Sequence, residues 1–88
     1  YKILRGAPAV ILGGADHALH GALRLIAAGT KINAIIDVHP RSIADPTLIA
    51  RLEARGVELL YEHRVVEIQG ADDVDAIIVE KLDKGGQW

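Results

Sequence analysis

The chain has 88 residues, half of them apolar, which is enough for one packed core and leaves no room for a second. Its formal charge of −2 and 3% aromatic content supply neither the basic field nor the stacking rings of a nucleic-acid binder, and no apolar run approaches the ~20 residues of a membrane span. With no cysteine there is no disulfide framework, thiol redox pair or cysteine zinc site in this chain, and with no signal-peptide pattern at its start the expected setting is cytoplasmic.

In chain order, Pro8 to Leu12 has the continuous apolar character of a strand buried on both faces. Ala15 to Ala28 reads as a helix whose inward face is Leu19, Ala22, Leu23 and Ile26, stopped by Gly29. Ile32 to Ile36 is the second buried strand, and His39-Pro40-Arg41-Ser42 the loop after it. Asp45-Pro46 is a helix start, because aspartate caps free N–H groups and proline has no N–H to leave unsatisfied. That helix runs Thr47 to Arg55 with Leu48, Ile49 and Leu52 inward, and Val57 to Tyr61 is a third strand. The β-α-β-α-β order predicts an α/β, three-layer Rossmann-like fold with right-handed crossovers and parallel strands in order 3-2-1. Beyond Arg64, two β-rich runs around Gly70-Ala-Asp-Asp73 predict a C-terminal hairpin, with Lys84-Gly85-Gly86 as a further turn.

The turn between the first strand and the first helix carries the chemistry. A Gly-rich turn opening a helix places free backbone N–H groups and the positive end of the helix dipole beside a phosphate. In the G-x-G-x-x-G/A pattern the positions read Gly13, Gly14, Ala15, Asp16, His17 and Ala18, so alanine replaces the middle glycine. The Ala15 methyl pushes the phosphates outward, at about 1 kcal/mol on the scale of overpacking by one methyl group. Asp16 adds a negative charge there unless its side chain turns away as a helix-start carboxylate. Asp37 ends the second strand at roughly the separation of about 20 residues that the pattern expects, where a carboxylate accepts from both hydroxyls of an adenosine ribose and repels a 2′-phosphate. NAD is therefore expected over NADP, although His39 and Arg41 lie just downstream as cations able to receive that phosphate.

Other polar residues have blander readings. His17 and His20 with Asp16 lack a further ligand at helical spacing and read as a polar helix edge, so no metal site is predicted. His63 reads as a surface residue between strands, and Asp72, Asp73 and Asp75 as a solvated turn without the calcium-loop pattern. No catalytic residue is predicted.

The Gly13 turn, the Ala-Ala-Gly29 helix end, the stretch from Ile35 through Asp37 to Arg41, the Gly56-Val57 segment and Arg64 to Gly70 together resemble the NAD-binding domain of FAD-dependent pyridine nucleotide-disulfide oxidoreductases. The likeness is nearest to amine-oxidising relatives such as the sarcosine oxidase α subunit and the opine and cyanide-forming oxidases, in which a Tyr-containing segment like Tyr1 to Gly6 leads into the first strand. The resemblance implies that residues 1–88 are a single NAD(P)-binding domain inserted in a larger protein that begins before Tyr1 and continues past Trp88. It implies that Gly13, Gly14, Ala15 and Ala18 form the phosphate turn and Asp37 the ribose acid. FAD and substrate are then held elsewhere, with the FAD-binding domain of the same protein as partner. Two alternatives stay open: a Rossmann scaffold whose nucleotide site is vestigial, and a fragment of an S-adenosylmethionine-dependent transferase.

Overall fold

The computed structural model describes residues 1–6 and 8–82; the turn expected at Lys84-Gly85-Gly86 lies outside them. In chain order the elements are β1 (Lys2–Arg5), β2 (Val10–Leu12), α1 (Asp16–Ala27), β3 (Ala34–Asp37), a 3₁₀ turn at Arg41–Ile43, α2 (Pro46–Glu53), β4 (Glu58–Tyr61), β5 (His63–Gln69) and β6 (Ala76–Lys81). β2, β3 and β4 form a parallel sheet with β3 in the middle, and β1, β6 and β5 form an antiparallel sheet with β6 in the middle.

The period of two along each parallel strand sorts side chains onto two faces. Ile11, Ile35, Leu59 and Tyr61 face the helices, where they pack with Leu19 and Ala22 of α1 and Leu48, Ile49 and Leu52 of α2. Val10, Ala34, Ile36 and Leu60 face the other way and pack on Leu4, Val65, Ile77 and Val79 of the antiparallel sheet. The layers are therefore helices, parallel sheet, antiparallel sheet, with β3 at the centre and buried from Ala34 to Ile36. Complete burial of one such side chain, Ile35, contributes roughly 2–3 kcal/mol.

The helices differ from the sequence reading by one or two residues at their ends, α2 closing at Glu53 and not Arg55, and the strands differ in three respects. The first two strands start two residues later than expected, because the Asn33 side chain, rather than a regular ladder, accepts from Ala9 N–H at 2.8 Å. Val74 stays in the loop, outside β6. The expected two-stranded hairpin is one part of a three-stranded sheet: β1 pairs antiparallel with β6, from Lys2 opposite Val79 to Arg5 opposite Ala76. A bulge between Val65 and Glu67 interrupts the pairing of β5 with β6.

One residue links the two sheets near the site. Glu62, at φ 58°, sits alone between β4 and β5. Its N–H donates to the His39 carbonyl at 2.9 Å and its carbonyl accepts from Leu82 N–H at 2.6 Å. This sharp link carries His63 and Arg64 to the carboxyl ends of the parallel strands. No helix among the described residues is long and apolar enough to cross a membrane.

Candidate functional site

Gly13 leaves β2 with φ 115°, a conformation that side chains rarely adopt, and a Cβ built there meets no atom within 4 Å. The glycine is required by the backbone, and the space beside it is open. Its N–H donates to the Ile36 carbonyl at 2.8 Å and so extends the β2–β3 pairing by one residue.

Gly14 is constrained differently. Its N–H donates to Asp37 Oδ2 at 2.6 Å, and its carbonyl accepts from the Tyr61 hydroxyl at 2.6 Å. A Cβ on Gly14 would lie 2.6 Å from Tyr61 Cε1. The pattern read from sequence treats Gly14 as the freely variable position of the turn. The structure makes it the tightest, and the reason is an aromatic ring of the same chain.

Ala15 is the N-cap of α1, extended at φ −78° and ψ 166°, and no side chain caps the helix. The first helical N–H to find an acceptor is that of Leu19, on the Ala15 carbonyl at 3.1 Å. The N–H groups of Asp16, His17 and Ala18 consequently have no acceptor within the helix, and the positive end of its dipole is left exposed.

Asp37 ends β3 directly opposite Tyr61 of β4. Its side chain is only 8% exposed. Oδ2 accepts from Gly14 N–H, while Oδ1 accepts from His39 N–H at 2.6 Å and from the His39 ring Nδ1 at 2.7 Å. Because an ionised carboxylate only accepts, Nδ1 carries the proton in this contact. Burial pushes the Asp37 carboxyl up, but the two backbone N–H groups of His39 and Gly14, with the His39 ring and its charge, outweigh it and hold the carboxyl below its ordinary value. Of about four acceptor positions on a carboxylate, three are used and one, on Oδ2, remains. A two-point grip on a ribose therefore requires the His39 ring, 65% exposed, to swing off Oδ1.

A cleft of about 340 Å³ opens between Gly13, Asp37 and His39 on one side and His63, Arg64 and Val65 on the other. It lies outside the carboxyl ends of β2 and β3, where open α/β sheets place their ligands.

The remaining sequence-predicted residues lie apart from this cleft. The Asp16 carboxylate reaches across to accept from Asp45 N–H at 2.7 Å, so it turns aside onto the start of α2. His17 lines two grooves along the flanks of α1, one shared with Ile11 of β2 and one with Arg51 of α2, and neither is the cleft. Ala18 shares the groove with Ile11. Arg41 pairs with Glu53 at 2.8 Å. Among the described residues no cluster of three or more histidine and acidic side chains could hold a metal ion.

Two site residues escape the sequence reading. His63 is half-buried, lines the cleft and has its ring Nδ1 2.7 Å from the Tyr61 carbonyl, where a surface linker was expected. Tyr61 is buried beneath the turn; burial pushes its phenol up, the Asp37 charge adds to this, and Arg41 opposes it, so the hydroxyl stays protonated and donates. The available signal was a tyrosine ending an otherwise aliphatic strand, since a buried phenol needs a hydrogen-bond partner.

No protein-family model matches the chain, and no curated protein matches its sequence. Among solved structures it is similar to thioredoxin reductase from Streptococcus pyogenes MGAS5005, with a TM-score of 0.65 and 24% identity over 93% of this chain. The match spans 27% of the reductase chain. The chain therefore has the α/β fold of a segment amounting to about a quarter of that thioredoxin reductase.

Proposed function

We propose that this chain binds the ADP portion of NAD and belongs to a larger cytosolic, flavin-dependent oxidoreductase. The observation that carries the reading is the pairing of an uncapped helix start with an ionised carboxylate at the end of the neighbouring strand, joined through the Gly14 N–H. The open space at Gly13 admits a phosphate close to the backbone, and the N–H groups opening α1 would donate to it. Asp37 Oδ2 would accept from a ribose hydroxyl. A 2′-phosphate would meet the Asp37 charge, and Arg41 is engaged by Glu53, so the arrangement favours NAD over NADP. When bound, NAD supplies hydride-transfer chemistry at its nicotinamide ring. This chain's residues orient the other end of the molecule; the FAD-binding part of the same protein would hold the flavin.

A second reading has its own observation. Asp37 already has structural partners in Gly14 and His39, and Gly14 is already explained by Tyr61, so the same contacts serve a scaffold whose nucleotide site is vestigial. Titration calorimetry with NAD, NADP and ADP-ribose separates the two. The binding reading expects NAD and ADP-ribose to bind more tightly than NADP and to lose affinity in Asp37→Ala. Absence of binding to all three ligands by folded protein, checked at two temperatures, favours the scaffold or a site completed only by other parts of the same protein.

A further inference from the structure

The two backbone polar groups of Gly14 are held by side chains from the ends of adjacent strands: Asp37 takes the N–H and Tyr61 gives its hydroxyl proton to the carbonyl, both at 2.6 Å. Asp37 and Tyr61 are register partners, so the β3–β4 pairing itself sets the spacing of this clamp. The Gly14 carbonyl belongs to the same peptide plane as the Ala15 N–H. In a trans peptide, which every described bond is, the carbonyl and the N–H point in opposite directions. With the carbonyl drawn inward to a buried phenol, the Ala15 N–H is turned to the outer side of the turn, where Ala15 is exposed.

We propose that Tyr61 is a positioning residue of the dinucleotide site, fixing the Gly14–Ala15 peptide so that its N–H is presented to the phosphates; this rests on the dinucleotide reading above. Without the hydroxyl the peptide plane is free to rotate, and a donor that must be ordered on binding is worth less than one already in place. The ring has a separate duty, because its contact with Gly14 excludes a Cβ there.

Tyr61→Phe separates the two duties by keeping the ring and removing the hydroxyl. The probes are ADP-ribose, which carries the pyrophosphate, and adenosine, which carries the same base and ribose without it, each titrated against both proteins by following amide shifts. The expected result is a loss of ADP-ribose affinity of up to about tenfold, the scale of one hydrogen bond, with adenosine affinity and unfolding cooperativity unchanged. The Ala15 amide signal of the free protein should move in the variant. Equal losses for both ligands, or no loss for either, would overturn the positioning role while leaving the dinucleotide reading standing. If the unmodified protein binds neither ligand, the dinucleotide reading falls and the role with it.

Discussion

The two parallel crossovers each deliver the chain from a strand end into a helix on the same face, and they treat the helix start in opposite ways. At α2, Asp45 accepts from Thr47 N–H at 2.8 Å and Pro46 has no N–H to satisfy. At α1 the same position is Ala15, whose methyl accepts nothing. A capping side chain is worth about 1 kcal/mol, so α1 stands without a stabilisation that α2 has. The nearest acid, Asp16, is turned onto the backbone of Asp45 and so ties the open start to the closed one. Of two equivalent ends, the one left with donors exposed is the one tied to Asp37 through the Gly14 N–H.

The contrast can be broken most forcefully at Asp37. Its removal in Asp37→Ala strips the acceptor from the Gly14 and His39 N–H groups, and urea unfolding should show a loss of about 3 kcal/mol, the scale of hydrogen bonds to a charged group. The pH dependence has a definite sign. Because the folded carboxyl lies below its ordinary value, its contribution is complete above about pH 4 and disappears as pH falls through the folded value. Asp37→Asn should flatten that acid limb of the stability curve.

Gly14→Ala comes next. The added methyl meets the Tyr61 ring, and a loss of about 2 kcal/mol is expected in the same assay. The residue before the Asp45 cap is already an alanine, Ala44, whose Cβ is accommodated in the core, which marks the glycine as a requirement of one turn and not of both.

The helix ends can also be exchanged. Asp45→Ala should cost about 1 kcal/mol of stability and leave ADP-ribose affinity unchanged, while Ala15→Ser should stabilise the fold by about 0.5 kcal/mol and weaken ADP-ribose binding, because the new hydroxyl competes for the same N–H groups. Glu53→Gln has the smallest expected effect on stability, within about 0.5 kcal/mol, since the Arg41–Glu53 pair is solvent-exposed. Its readout is calorimetric: with Arg41 released, the preference for NAD over NADP should narrow.

The parts of the molecule built from local pattern were legible beforehand. The helical spacing of Leu19, Ala22, Leu23 and Ile26, and of Leu48, Ile49 and Leu52, identifies the faces that pack on the sheet. Asp45-Pro46 announces its helix to within a residue. What local pattern cannot carry is pairing between distant stretches. β1 is two aliphatic residues between a lysine and an arginine, and only β6 makes it a strand. The same holds within the site. Asp37 was visible because it closes a strand at a meaningful distance from a glycine turn, whereas the grip of Tyr61 on Gly14 joins positions 47 residues apart. Arg41, chosen for its charge and place in the loop, is claimed by Glu53 on α2, a partner that spacing does not reveal.

The pairing of Lys2 with Val79 also bears on how the molecule assembles. The parallel strands and their helices join neighbours within short stretches, but β1 must close a loop across most of the described chain before it gains any hydrogen bond. Loop closure of that length carries an entropic cost that local contacts do not repay, so β1 is expected to add last and leave first. Amide exchange should accordingly be fastest in Lys2–Arg5 among the strands and slowest in Ala34–Ile36. A slow final folding phase should report the docking of β1 onto an otherwise completed β6.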